Sequence, residues 1–292
     1  MPIEHQEWDG LIRGRTDPGN PLVIEVPLQP SPNGGSGTFL AEASDKHRWW
    51  VKPLNNLQGP KVIVTEYIVG WAGAVIIGAP VCEVTAVRIP EDISGWEFRP
   101  GARLEPGLAC ASRAIDDAQE VRALEYRDRD ENAVRHAGVY ALYDWCWGGD
   151  DQWLYCETDD RKLYSHDHGY YFPDTGPDWS EATLLAHVDE PHPARYPTTG
   201  VDPQELSRLA VSLTQHPARP LLDAIRNLGA DTEKLDELVN SLEPLRKRLA
   251  EMLLTVPASW PVTDGELAAL GFFLERRAPG VAQRLTAMIG GS

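Results

Sequence analysis

Two hydrophobic rhythms divide the chain. In the N-terminal half, short runs rich in β-branched and aromatic residues are separated by Gly and Pro, which is the signature of strands. Such runs occupy residues 21–28 (PLVIEVPL), 38–43, 47–52 and 79–89. In the C-terminal third, apolar residues recur at helical spacing. Leu206, Leu209, Ala210 and Leu213 form one stripe, and Leu221, Leu222, Ile225 and Leu228 a second, closed by Gly229. Leu235, Leu238, Val239, Leu242, Leu245 and Leu249 form a third, with Pro244 as a break. Thr263 to Glu266 is a capping-box pattern ahead of Leu267, Leu270 and Leu274. Val281, Leu285, Met288 and Ile289 form the last face.

Between these regions the pattern is mixed. Pro60 precedes a helix over about residues 61–77, apolar nearly all round and therefore packed on several sides. Residues 116–126 and 132–147 read as helices; the second carries Val139, Leu142, Tyr143 and Cys146 on one face. The runs at 153–155 and 163–164, joined by a turn over 157–162, read as a hairpin. Residues 107–113 (GLACASR) are a run of small residues that fits neither rhythm. Residues 190–200 are proline-rich and read as a linker. The expected fold class is α+β, with a strand-rich first half and a helical last third.

Composition narrows the function classes. The chain has 292 residues, with 27 Lys and Arg against 44 Asp and Glu, a formal net charge of −17. That balance argues against a nucleic-acid partner and against an anionic membrane surface. No run reaches membrane-spanning length, and the first residues lack the pattern of a signal peptide. The four cysteines (Cys82, Cys110, Cys146, Cys156) are far apart and include no CxxC pair, as expected of reduced, buried thiols in a cytoplasmic protein. Zinc held by Cys146, Cys156 and His166 is an alternative that lacks metal-ligand spacing.

Candidate chemistry clusters in four places. Asp150 and Asp151 precede the hairpin and Asp167 follows it, beside Gly169. A hairpin would bring Asp150 and Asp167 to one end, where converging carboxylates suit Mg²⁺; solvated surface acids are the other reading. Residues 29–38 form a Gly/Ser-rich loop containing Asn33, Gly34, Gly35, Ser36 and Gly37. Its backbone could approach a phosphate closely, or serve only as a hairpin turn. Lys52 ends the strand-like run RWWVK before Pro53 and could meet a phosphate as a compact point charge. Glu66, the only acid on the apolar helix, needs a partner if buried, and Lys52 is the candidate.

Lysine, helix glutamate, aspartate loop and Asp-X-Gly occur in the order of a kinase, and the chain resembles the HipA-like kinases. More narrowly, it resembles bacterial HipA-related kinase domains that stand alone, without a fused DNA-binding partner. The resemblance spans about residues 20–190 and rests on Val51-Lys52-Pro53, Glu66, residues 107–113 and the block from Asp150 to Gly169.

It implies a two-lobed, protein-kinase-like α+β fold with an enlarged helical C-terminal part. Residues 1–90 would form the strand-rich lobe, 91–190 the catalytic part and 191–292 the helical subdomain. It further implies that the loop from Asn33 to Gly37 covers the ATP phosphates, and that Lys52 contacts them while paired to Glu66. Asp150 would be the catalytic aspartate, Asp167 would bind Mg²⁺, and adenine would lie against residues 83–88, between Glu83 and Arg88.

The family's catalytic loop carries an Arg or Gly and a His after its aspartate, and an asparagine five residues on. This chain has Asp150-Asp151-Gln152-Trp153-Leu154-Tyr155. Gln152 or Asp151 would take the asparagine's place at the metal, and Asp150 and Asp151 compete for the role of base. His166 and His168, flanking Asp167, either orient the metal ligand or are structural.

The resemblance thus implies an ATP/Mg²⁺-dependent phosphotransferase acting on a Ser or Thr of a protein, with a small-molecule hydroxyl as a variant acceptor. A nucleotide-binding pseudokinase serving as a regulatory module is the alternative that the altered loop raises. A metal-dependent hydrolase built on the same acids and histidines is a third.

Overall fold

The structure is a computed structural model. It describes residues 4–32, 35–121, 124–150, 153–174, 178–193, 201–214 and 244–289. Among them it is mixed α+β, as expected. The stripes at 221–228 and 235–242 lie outside the described residues.

The strand-rich half closes into a five-stranded barrel, β1 (Leu22–Pro30), β2 (Phe39–Ala43), β3 (Arg48–Lys52), β7 (Gly107–Arg113) and β4 (Val84–Ile89), in that order. Closure is made by a short parallel pairing of Leu22 and Val23 with Val87 and Arg88. Every other pairing in the barrel is antiparallel.

Alternation along each strand sorts side chains between two cores. Phe39, Ala41, Trp49, Val51, Val87, Ile89, Ala109 and Ala111 fill the barrel. Leu108, Cys110 and Ala86 face outward into the main core. This accounts for the small-residue run at 107–113. It is the strand β7, between β3 and β4, with bulky Trp49 and Phe39 filling one side and a helix packed on the other. Phe98, on β5 (Glu97–Arg99), enters the barrel, and Trp96 packs on Phe39 with ring centroids 5.3 Å apart. β5 pairs with β6 (Ala102–Arg103).

The helix on the outer face is α1 (Lys61–Trp71), which runs on as a wider π-turn over Ala72–Ile77 and ends at Gly78 in the left-handed conformation. It is buried on nearly every side, as its largely apolar sequence requires. Gly70 sets its approach to the sheet: a Cβ there would lie 2.5 Å from Cγ2 of Val84.

The described residues of the 116–126 run are not the expected helix. They contain strand β8 (Ala118–Val121), which joins the hairpin β9 (Trp153–Cys156) and β10 (Lys162–Ser165) as a third strand. Left-handed backbone at Asp117 and Tyr126 is incompatible with a helix through them. The apolar spacing there is equally that of a short, half-exposed strand. Helix α2 (Asn132–Trp145) delivers the chain to the hairpin.

α3 (Glu181–Ala186), α4 (Pro203–Thr214), α5 (Pro244–Leu254) and α6 (Asp264–Ile289) complete the main core. The capping box at α6 is formed: the Glu266 N–H donates to Thr263 Oγ1 (3.1 Å) and the Thr263 N–H to Glu266 Oε2 (2.9 Å). The first described residues pack on this helical body. Trp8 donates Nε1–H to Glu275 Oε2 at 2.8 Å, and Arg15 donates to the carbonyls of Pro257 and Val262.

Two outcomes follow from this packing. Gly70→Ala should lower stability by about 1–3 kcal/mol through overpacking of α1 on β4, read by urea unfolding. The second concerns His136, fully buried on α2 beside Tyr155. Burial, aided by the charge of Arg127, pushes its imidazole down to about 4 from 6.5. A depressed histidine charges in the unfolded chain before the folded one, so stability falls as pH drops from 6.5 toward 4. Between pH 7.5 and 5, His136→Gln should lose about 2 kcal/mol less stability than the wild type.

Candidate active site

Because Trp49 and Val51 point into the barrel, Lys52 points out of it, on the side of its cross-strand partner Cys110 and of α1. Its ammonium is buried, with 6% of the residue exposed. Nζ donates to Oε2 of Glu66 at 2.8 Å and also to Oδ1 of Asp167. The expected pair of Lys52 and Glu66 is therefore formed, and Asp167 joins it from 115 residues further along the chain.

Burial works to lower the Lys52 pKa, but the Asp167 and Glu66 carboxylates outweigh it and hold the ammonium above its ordinary range. For Asp167, burial pulls upward while the Lys52 charge pulls down and prevails, so the carboxyl stays below its usual value. Burial drives His166 down to about 4 and His168 to about 3, so both imidazoles are neutral at pH 7. One ammonium thus faces two carboxylates, leaving a surplus of negative charge. The Asp167 side chain remains 37% exposed. A partly exposed carboxylate in such surroundings is the kind of oxygen donor that hard divalent cations take.

The Asp-His-Gly turn is anchored on both sides. At the end of β10, the Ser165 N–H donates to Pro80 O (2.7 Å) and Ser165 O accepts from the Cys82 N–H (2.9 Å). His168 lies behind the turn, fully buried. Its Nε2 shares a 2.8 Å hydrogen bond with Ser165 Oγ, its Nδ1 lies 3.8 Å from Oε1 of Glu66, and its ring packs edge-on to Tyr171. Gly169 rests on α1: a Cβ there would sit 2.5 Å from Cγ1 of Val62 and 3.5 Å from the Lys52 ammonium. Only glycine lets the turn come this close.

Asp150 reaches the same end of the hairpin. Trp153 pairs with Ser165, and Gly148 bridges to Tyr171. Asp150 lies between Gly148 and Trp153, and Asp167 between Ser165 and Tyr171, so one pair of cross-links brackets both acids. Strained backbone gathers here. Trp147, Asp167, Phe172 and Asp174 all have positive φ (56°, 54°, 72° and 66°).

Of the Gly-rich loop, Gly35, Ser36 and Gly37 are described; Asn33 and Gly34 lie outside the described residues, as do Asp151 and Gln152. The loop leaves the barrel at the end where Lys52 sits, since Phe39 pairs with Val51. Gly37 has φ +79°, and a Cβ there would lie 2.6 Å from the Phe98 ring. Ser36 is buried, its Oγ bonded to Thr38 Oγ1 at 2.7 Å and its carbonyl to the Leu57 N–H. Glu83 and Arg88 are exposed near the two ends of β4 and join no contact of the Lys52 cluster among the described residues. No group of three or more His, Cys, Asp and Glu that could by itself hold a metal occurs among the described residues, the suggested Cys146–Cys156–His166 set included. The sequence reading did not single out Ser165 or the 80–82 segment; Ser165 three residues before His168 was the visible signal.

No protein-family model matches the chain. No curated protein is similar enough to count as a relative.

Lys52→Met would strand Glu66 in the core. The expected cost is about 3–5 kcal/mol in urea unfolding, and Lys52→Met/Glu66→Leu, which removes the stranded carboxylate, should be more stable than the single variant.

Proposed function

We propose that this chain is an ATP- and Mg²⁺-dependent phosphotransferase of two-lobed, HipA-like kinase build, acting on a hydroxyl, with a protein Ser or Thr as the acceptor. The observation that carries the reading is the Lys52 ammonium, buried at a strand end between a helix carboxylate and the aspartate of an Asp-X-Gly turn. In kinases a lysine so held lies against nucleotide phosphates, and the Asp-X-Gly aspartate holds the metal. The Gly-rich loop at the same barrel end and the Asp150 loop at the same hairpin end support it. The four free, buried cysteines suit a reducing, cytoplasmic setting.

When bound, ATP with Mg²⁺ supplies the phosphoryl group and the divalent charge that offsets the phosphate oxygens. The chain's own residues do the positioning. Lys52, fixed by Glu66, presents a permanent positive charge to the phosphates. Asp167, whose side chain is 37% exposed, would hold the metal through its carboxylate. Asp150 accepts the hydrogen bond, and then the proton, of the attacking hydroxyl. Gly35, Ser36 and Gly37 present backbone at the barrel mouth.

The test is ATP binding by calorimetry, with and without Mg²⁺, on wild type, Asp167→Ala and Lys52→Met, followed by intact mass. Mg²⁺-dependent binding that weakens at least tenfold in Asp167→Ala, with an added phosphate on wild type only, is expected. Binding without any phosphoryl transfer to the chain or an added acceptor would make it a nucleotide-binding pseudokinase. Release of inorganic phosphate with no phosphorylated product would make it a hydrolase.

A further inference from the structure

The loop carrying Asp150 is held by a residue outside the hairpin. After α2 ends, Trp147 turns into the left-handed region and the Gly148 N–H closes back on the Tyr143 carbonyl at 2.8 Å. Gly148 is packed flat on the Tyr143 ring, where a Cβ would lie 2.1 Å from Cδ2. The Gly148 carbonyl then faces His192, and His192 Nε2 lies 2.8 Å from it. A carbonyl only accepts, so Nε2 carries the proton and donates.

The His192 ring is itself fixed. It stands edge-on to Tyr143 (centroids 4.8 Å) and to Trp147 (5.3 Å), the two aromatic residues on either side of the turn. Arg277 of α6 lies over the Trp147 ring at 4.7 Å and donates to the carbonyls of Asp144 and Trp145 at the end of α2. The last carbonyls of α2 and the first of the Asp150 loop are therefore held by cationic or N–H donors from distant segments.

We infer that His192 is the positioning residue of the Asp150 loop: through the Gly148 carbonyl it fixes where the Asp150 carboxylate stands. This rests on the phosphotransfer reading for its catalytic consequence, not for its structural one. Trp147 is held in the left-handed region and Gly148 has no room for a side chain, so the turn leading to Asp150 is tightly constrained. A histidine 44 residues downstream supplies the hydrogen bond at that carbonyl.

Two variants separate the hydrogen bond from the ring packing. His192→Phe keeps the aromatic ring between Tyr143 and Trp147 and removes the donor; His192→Gln keeps an N–H donor and removes the ring. Each is measured by amide hydrogen exchange of the peptide covering residues 148–153, by thermal midpoint, and by phosphoryl-transfer kinetics. The expected result is exchange at least tenfold faster in His192→Phe, with the midpoint within a few degrees of wild type and near-wild-type exchange in His192→Gln. Where wild type turns over, kcat should fall ten- to hundredfold in His192→Phe, with KM for ATP within threefold, and recover in His192→Gln. Unchanged exchange in His192→Phe overturns the inference, whatever the kinetics. Faster exchange in His192→Phe, with a wild type that never transfers phosphate, upholds the positioning role and overturns the phosphotransfer reading instead.

Discussion

A buried ammonium cannot be left alone. Lys52 is enclosed at the end of a barrel strand, and its charge is tolerable only because carboxylates arrive from two directions. One comes from the helix packed on the barrel, the other from the turn after a hairpin in a different sheet. The barrel, α1 and the second sheet therefore meet at one atom. Their relative placement must be correct to within a hydrogen-bond length for the core to be electrostatically sound.

The close packing around that point serves the same requirement. Gly70 brings α1 down onto β4, and Gly169 brings the Asp-His-Gly turn down onto α1. Either extra methyl would push apart layers that Lys52 has to bridge. Ser165 and the 80–82 segment tie the turn to the chain leaving α1, so the aspartate is placed by backbone hydrogen bonds as well as by attraction to the lysine. Neutral His166 and His168 add no positive charge beside the two carboxylates.

Much of this was legible because it is local. The Lys52 strand, the helix bearing Glu66, the hairpin with acids at one end and the α6 capping box are each written in consecutive residues, and each is present. The pairing of Lys52 with Glu66 followed from a single acid on an apolar helix. Residues 116–126 misled because their spacing suits a helix or a strand, and only the distant partner β9 decides between them. The 107–113 run was opaque for a similar reason. Small residues make sense only once Trp49, Phe39 and α1 are known to crowd both faces. Asp167 reaching Lys52, and Gly37 resting on Phe98, depend on contacts across the fold that no window of sequence contains.

The docking of Trp8 onto the last helix has a consequence for how the chain comes to be folded. Trp8 and Glu275 are 267 positions apart, and Trp8 packs against Gly271 with no room for a side chain between them. On a ribosome the indole emerges 267 residues ahead of the glutamate that receives it. Until α6 appears, that large apolar ring has nowhere native to go. The barrel can begin to form from neighbouring strands meanwhile, but the helical body cannot close early. Completion thus waits on α6, a long loop to close and a slow step by the measure of contact order. The interval in which Trp8 stands exposed is when this protein is most open to a chaperone or to aggregation.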